Sequence, residues 1–310
     1  MRHNILVTGG SGFIGTHLCR TLSAAGHQVK SLDLVPPKEK INYQYEQGDV
    51  RDQKIVERML IGVDTVFHLA AIASVPRCQE EPTESYATNL LSTCLLLDEI
   101  EKQMRKSAKA IKIIFASSSA VYGKESDTGK PNLEENSSRS PLSLYAAQKL
   151  GSEHAIQIFH LQKKIPAIIF RFFNVYGPGQ DPSSQYSGVI SIFAKCLETN
   201  SPIKLNGGGT QTRDFISVHD VVRAGILAME LENSKCTATP INLGTGKSIE
   251  IKALAELMMK VAGTQVPTNI MPHREGDIIH SFSSIERAKT QLLWEPKTSL
   301  EAGLREIFGQ

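Results

Sequence analysis

One short stretch restricts this chain more than any other: Gly9-Gly10-Ser11-Gly12-Phe13-Ile14-Gly15. Before it, Asn4 to Thr8 is an apolar run rich in β-formers. After it, Phe13 to Ala25 carries apolar residues at helical spacing and is closed by Gly26. Glycines three apart between a strand and a helix allow a tight turn, close approach of backbone to a pyrophosphate, and close packing of the helix on the strand. The phosphates then meet the helix N-terminus. In that setting the pattern predicts a dinucleotide-binding α/β fold.

The segments that follow agree. A second strand, Gln28 to Leu32, ends in Asp33, where such folds place the carboxylate that accepts from the adenosine ribose hydroxyls. A 2′-phosphate beside Asp33 would meet a repulsion of order 4 kcal/mol at an effective dielectric of ~20. Leu34, Val35 and Pro36 supply no cation to offset it, so NAD is expected rather than NADP. Tyr43 to Gly48 and Thr65 to Leu69 read as strands, Arg51 to Leu60 as the helix between them, and Asp49 as a turn residue. Pro82 to Met104 reads as one long helix, and Ile111 to Ala116 and Pro166 to Phe172 as buried strands. Alternating strands and helices predict a doubly wound parallel sheet. After Asn174 the alternation weakens. Helices are expected at Val189 to Glu198, Val218 to Met229, Ile251 to Val261 and Ile285 to Leu292, as for a smaller mixed α/β unit.

Composition narrows the class of function. A net charge of +2 without a long basic run gives no footprint for nucleic acid or a membrane surface. Five scattered cysteines without a Cys-x-x-Cys pair fit a reducing compartment, and the nine histidines suggest no metal site. The opening Met-Arg-His-Asn leaves no room for a signal peptide and no apolar run reaches membrane-spanning length, so a cytoplasmic address is expected. His68, at a strand end without spaced partners, reads as a packed histidine.

The reactive group is sought in Pro141-Leu-Ser-Leu-Tyr145-Ala-Ala-Gln-Lys149. Good helix formers follow Pro141, with apolar residues at Leu150, Ala155, Ile158 and Phe159, so Tyr145 and Lys149 should share a helix face. An ammonium about 4 Å from a phenol contributes roughly 4 kcal/mol at an effective dielectric of ~20, or about three pKa units toward phenolate. Tyr145 would then act as a base near neutral pH. Tyr-x-x-x-Lys alone is weak, since about half a match arises by chance in such a chain. Ser117-Ser118-Ser119, directly after a strand, can face a ligand at the carboxyl end of the sheet or serve as ordinary loop hydroxyls.

Together with Gly48-Asp49-Val50, His68-Leu-Ala-Ala71, Ser117-Ser-Ser-Ala-Val-Tyr-Gly123, Arg171-Phe-Phe-Asn-Val-Tyr-Gly-Pro178, Arg213-Asp-Phe215 and Arg274-Glu-Gly-Asp277, these pieces stand in one order. In that order the chain resembles the extended short-chain dehydrogenase/reductases, specifically the NAD-dependent nucleotide-sugar epimerases, over essentially its whole length. The resemblance implies that Tyr145 is the base, that Lys149 holds the nicotinamide ribose, and that Ser118 bonds the reacting sugar oxygen. It implies an NAD site lined by Gly9, Gly12, Phe13, Ile14, Gly15, Asp33, Asp49, Val50, Leu69, Ala70, Ala71, Asn89 and Phe173. Asn174, Arg213 and Arg274 would hold a nucleotide diphosphate and Asp277 its ribose, although singly each arginine could equally be a surface ion pair. Residues 1–173 and 214–246 would bind NAD, and 174–213 and 247–310 the nucleotide sugar.

The same resemblance bears on the reaction. Sugar dehydratases of the group carry an Asp-Glu pair where this chain has Ser119-Ala120, and decarboxylases keep the Glu. Without that acid, elimination lacks a proton donor and epimerisation is favoured. Ser281 stands where some members have a bulky Tyr that excludes N-acetyl groups, and Ser74 lies in Ala73-Ser-Val-Pro-Arg77, similar to a loop of epimerases for N-acetylated sugars. The expectation is a 4-epimerase of a UDP-hexose, accepting N-acetylated sugars, that works through a transient 4-keto sugar. A homodimer through the helices at 82–106 and 145–163 and a place in polysaccharide biosynthesis go with it. The alternatives are a reductase, decarboxylase or dehydratase on the same scaffold, or a non-catalytic NAD sensor.

Overall fold

The computed structural model describes residues 2–134, 137–181, 188–273 and 278–310. Two compact units emerge. The first comprises residues up to Val121, Ser143–Arg171 and Val222–Ile241; the second comprises Tyr122–Leu142, Phe172–Val221 and Asn242–Gln310.

The chain begins with β1 (Asn4–Thr8), α1 (Phe13–Ala24), β2 (Gln28–Asp33), β3 (Gln44–Gln47), α2 (Gln53–Met59) and β4 (Thr65–His68). It continues through α3 (Val75–Glu80), α4 (Pro82–Tyr86), a π-helical turn (Ala87–Leu91), α5 (Ser92–Ser107), β5 (Lys112–Ser118), α6 (Leu144–Lys163) and β6 (Ala167–Phe172). After β7 (Asn174–Tyr176) come α7 (Val189–Glu198), β8 (Ile203–Asn206), β9 (Thr212–Arg213), β10 (Phe215–Ser217), α8 (Val218–Glu230) and β11 (Pro240–Leu243). The last elements are β12 (Ile249–Glu250), α9 (Ile251–Ala262), β13 (Thr268–Met271), β14 (His280–Ser281), α10 (Glu286–Leu292) and α11 (Leu300–Ile307).

A seven-stranded sheet runs in the order β3-β2-β1-β4-β5-β6-β11. The four pairings from β3 to β5 are parallel, with Thr8 level with Leu32 on one side and His68 on the other. The chain winds outward one way from β1 to β3, then returns to β4, so the order reverses between β1 and β4. Beyond the carboxyl ends of those strands, a doubly wound fold opens its ligand crevice. Ile5, Leu6 and Val7 are buried together, as are Ile113, Ile114 and Phe115. Successive side chains alternate across a sheet, so both of its faces are covered. On one face Leu6, Leu32, Val66 and Phe115 pack with Val56 of α2, Leu97 and Ile100 of α5, and Ile156 of α6. Among the described residues no helix is long and apolar enough to cross a membrane.

In the second unit Phe193, Ile203, Leu205, Leu254, Met258 and Leu304 share a core. Asp214 organises its loops: this fully buried carboxylate accepts from Thr245 N and Oγ1, Gly246 N, and Ser283 N and Oγ at 2.6–3.1 Å.

Several elements depart from expectation. The long helix from Pro82 is interrupted by the π turn, and Val75–Glu80 forms an additional short helix. β5 runs through Ser118, so Ser117 and Ser118 belong to the strand rather than to a following loop. α6 also turns unexpectedly: Ile158 is half exposed, and the buried face is Ala146, Gln148, Lys149, Ser152, Glu153 and Ile156. Its inward polar groups are tolerated because each finds a partner: Ser152 Oγ donates to Asn89 O at 2.9 Å, and the others are described below.

Candidate active site

The glycine loop leaves β1 at Thr8. Gly9 has φ +73°, and a Cβ there would lie 2.7 Å from Ala70 N. At Gly15 a Cβ would lie 2.1 Å from the Gly9 carbonyl oxygen, so helix α1 starts close against the loop. Gly12 caps that helix without a side-chain hydrogen bond, which leaves the first N–H groups beside Phe13 and Ile14 directed outward for an anion. Asp33 ends β2 half buried and accepts from Ser11 N at 2.9 Å and Val35 N at 3.2 Å. A carboxylate has about four acceptor positions, so two remain for a ribose diol. Ser11 Oγ is buried without a hydrogen-bond partner. These residues fit a dinucleotide: close backbone approach, an orphan hydroxyl and an acceptor-rich carboxylate lie in one place.

Leu69, Ala70 and Ala71 continue from β4 beside this loop, with Leu69 N donating to Thr8 O at 3.1 Å. Asp49 and Val50 follow β3. Val50 is buried, whereas the Asp49 carboxylate is held by the Arg51 guanidinium, whose hydrogen bonds keep it below the ordinary carboxylate range. Ser74 caps α3 by accepting from Arg77 N at 3.0 Å. Asn89 sits in the π turn with its amide on the Ile72 backbone.

Ser118 at the end of β5 and Tyr145 in the first turn of α6 come together closely enough for the serine hydroxyl to pull the phenol's pKa down. Ser143 caps α6 from Ala146 N at 3.2 Å, which sets where the helix begins and so where Tyr145 points. Lys149, one turn further, is 3% exposed. The ammonium also has a backbone partner that the spacing did not show. Lys149 Nζ donates to Ala116 O at 2.7 Å and lies 4.8 Å from the Phe115 ring centroid and 5.9 Å from that of Tyr145. A strand carbonyl competes for the ammonium, and burial dominates the phenol. Burial pushes Tyr145 up to about 12 against the pull of the nearby Ser118 hydroxyl. Burial also lowers Lys149 to about 8, opposed by Cys78 and Glu153.

Behind this cluster lies a buried pair that the motifs did not single out. Arg171 of β6 donates to Glu153 of α6 from Nε at 2.9 Å and Nη2 at 2.6 Å, and Ser117 Oγ donates to the same carboxylate at 2.5 Å. Glu153 stands four residues after Lys149, on the face of Tyr145, and that spacing was its available signal. His68 is the packed histidine expected, bonded to Thr8 Oγ1 at 2.8 Å and Thr93 Oγ1 at 3.0 Å.

In the second unit, Phe173 is buried and its N–H donates to Leu243 O at 3.0 Å. Asn174 Nδ2 donates to Asp214 O at 2.9 Å. Arg213 and Ser281 stand level on adjacent parallel strands, and Ser281 is 7% exposed. Arg274 and Asp277 lie outside the described residues. Among those described, no group of three or more His, Cys, Asp or Glu side chains could hold a metal ion.

Residues 5–244 match the model of the NAD dependent epimerase/dehydratase family. A UDP-glucose 4-epimerase of Halalkalibacterium halodurans is 30% identical, covering 94% of this chain and 90% of its own. The crystal structure of a Thermotoga maritima UDP-glucose 4-epimerase with UDP-glucose superposes with a TM-score of 0.89 at 32% identity, covering 99% of this chain and 97% of that one. A UDP-N-acetylglucosamine 4-epimerase from Methanobrevibacter ruminantium, in complex with UDP-N-acetylmuramic acid, gives 0.90 at 32% identity with the same coverage.

Proposed function

Because the chain belongs to the NAD-dependent epimerase/dehydratase family, we propose that it is an NAD-dependent 4-epimerase of a UDP-hexose that accepts N-acetylated sugars. The observation that carries this reading is the meeting of Ser118, Tyr145 and Lys149 at the carboxyl end of the same sheet whose β1 and β4 ends form the glycine cradle. A sensor has no need of two hydroxyls and an ammonium in one cluster. Bound in the glycine cradle, NAD would supply reversible hydride chemistry.

The protein's part is proton handling and orientation. Ser118 bonds the reacting sugar oxygen while Tyr145 takes its proton. With the phenol at about 12, it is not a standing base at neutral pH. An ammonium about 4 Å from the phenolate would supply about 4 kcal/mol at an effective dielectric of ~20, which draws the phenol down. Lys149 has that charge at neutral pH, since its own value is about 8. Lys149 thereby favours the phenolate, and the proton moves in step with oxidation at C4. The resulting 4-keto sugar turns over before reduction. Arg213 and Asn174, with Arg274 and Asp277, are assigned to the nucleotide diphosphate and its ribose, and Ser74 to the sugar.

The small, buried Ser281 beside Arg213 supports the N-acetyl reading. A homodimer through α5 and α6 is part of the proposal, supported by Leu91, Ile158 and Leu161, each at least half exposed beside or on those helices. Light scattering that returned a monomer at micromolar concentration would remove it.

The deciding experiment is proton NMR of the anomeric signals after incubating purified protein separately with UDP-glucose, UDP-N-acetylglucosamine and UDP-glucuronic acid. Galacto signals without stoichiometric NADH establish the epimerase. The relative rates test Ser281. No conversion of any of the three, even with NAD supplied, overturns the reading.

A further inference from the structure

The π turn between α4 and α5 has a purpose that the site residues do not explain. π insertions within helices mark functional positions because the extra residue re-aims a side chain. Here the turn carries Asn89, 1% exposed, and its amide orientation is determined. Ile72 N can only donate, so Asn89 Oδ1 accepts from it at 2.8 Å, and Nδ2 donates to Ile72 O at 3.0 Å. The second proton of Nδ2 meets Gln148 Oε1 at 2.7 Å. Gln148 therefore turns its Nε2 to Ser85 Oγ, 2.8 Å away, and the serine hydroxyl passes on to Pro82 O at 2.9 Å. Each group's donor or acceptor role follows from the one before, from a backbone N–H to a backbone carbonyl, with Asn89, Gln148 and Ser85 all essentially without solvent access.

Resting on the reading of this unit as the NAD-binding and proton-handling one, we propose that Gln148 is a positioning residue: its amide, through Asn89, fixes the Leu69–Ile72 segment to the helix that carries Tyr145 and Lys149. The geometry of the two ends explains why this matters. Ala70 touches Gly9 of the cradle at one end. At the other, Gln148 immediately precedes Lys149 and follows Tyr145 by three residues on α6. The relay thus sets the register between the cofactor-facing loop and the proton-transfer pair. An apolar residue at 148 would fill the space but leave Asn89 Nδ2 and Ser85 Oγ without this partner, and the Asn89 amide would keep its bonds to Ile72 while losing its link to α6.

The test compares Gln148→Leu with Gln148→Glu. A glutamate can accept from both Asn89 Nδ2 and the Ser85 hydroxyl, so it keeps the links to Asn89 and Ser85 while the serine proton turns away from Pro82 O. Amide hydrogen exchange is measured on the segment containing Ile72, NAD affinity by calorimetric titration, and kcat and KM on the converted UDP-sugar. In the leucine variant the Ile72 segment should exchange about tenfold faster and NAD should bind about tenfold more weakly, as for a lost buried hydrogen bond. The glutamate variant should recover both to within about threefold. A folded leucine variant that melts lower but keeps wild-type exchange at Ile72 and wild-type NAD affinity would show a merely structural residue and overturn the proposal. If the leucine variant does not fold, Ser85→Ala removes the next link. Faster exchange at Ile72 supports the relay and unchanged exchange overturns it. The exchange arm is read without cofactor, so a wild-type protein that failed to bind NAD would sink the proposed function while leaving the relay to stand or fall on its own result.

Discussion

His68 offers the sharpest quantitative check on unit 1. Its ring lies between two threonines, and the network assigns the tautomer. Thr93 donates its hydroxyl proton to Asn89 O at 3.1 Å, so toward His68 it accepts, which places the imidazole proton on Nε2. Nδ1 then accepts from Thr8, whose oxygen also receives Ala70 N at 3.4 Å. A second ring proton would face the Thr8 hydroxyl with no water to turn to. Burial, with the nearby Lys149 charge, lowers the imidazole to about 3 from an ordinary 6.5. The gap of about 3.5 units corresponds to about 5 kcal/mol at about 1.4 kcal/mol per unit. Since the folded value is depressed, this stability is fully present above pH 6.5 and is lost as pH falls from there toward the folded value. Carbon-proton NMR should show the His68 resonance, assigned by its disappearance in His68→Gln, unmoved from pH 7.5 to 5. In parallel, the stability gap between wild type and variant in urea should shrink by about 2 kcal/mol between those pH values, from the 1.5 units below 6.5. A His68 resonance titrating with a midpoint near 6.5, or a gap of constant size, would refute the argument.

Three further outcomes are expected. Glu153→Gln strips Arg171 of its carboxylate and should cost about 3–5 kcal/mol in denaturant unfolding, while Glu153→Gln with Arg171→Met should regain most of it, because a buried pair is worse broken than absent. Gly15→Ala would drive a methyl to 2.1 Å from the Gly9 carbonyl oxygen, so NAD affinity measured by titration should fall by at least about tenfold even in folded protein. The pH profile of kcat/KM should decline above about pH 8 as Lys149 loses its proton. Lys149→Arg, which stays charged, should remove that decline, and Glu153→Gln should move it to lower pH because the carboxylate raises Lys149.

How far these features could be read in advance depended on how local their causes are. The glycine loop was legible because a strand, three glycines and a helix are contiguous, and the turn between them is decided within about a dozen residues. The parallel strands were legible for a related reason: a strand covered on both faces has no polar side to disguise it. α6 was not. Leu150, Ala155, Ile158 and Phe159 pointed to one face, yet Ile158 is half exposed while Gln148, Lys149, Ser152 and Glu153 face inward. Apolar periodicity identifies a buried face only where burial is apolar, and here satisfied polar groups occupy it. The π turn was hidden likewise, since Pro82 to Ser107 keeps helical composition throughout.

The site shows the same division within a single motif. In Arg213-Asp214-Phe215 the arginine was singled out as a diphosphate ligand, yet Asp214 collects five hydrogen bonds from two distant loops. Motif reading favours residues whose partner is a ligand, because their chemistry is visible in the residue type alone. Residues whose partner is another part of the chain are recognised only when that partner is known. Gln148 meets Asn89 across 59 residues of sequence and Glu153 meets Ser117 across 36. The reactive trio could therefore be named from Tyr145 and Lys149 outward, whereas the groups that orient it came from tertiary contact. The structure also adds to the physics of the trio. An i to i+4 spacing fixes which face Lys149 shares with Tyr145, but only the fold supplies the Ala116 carbonyl that competes for its ammonium.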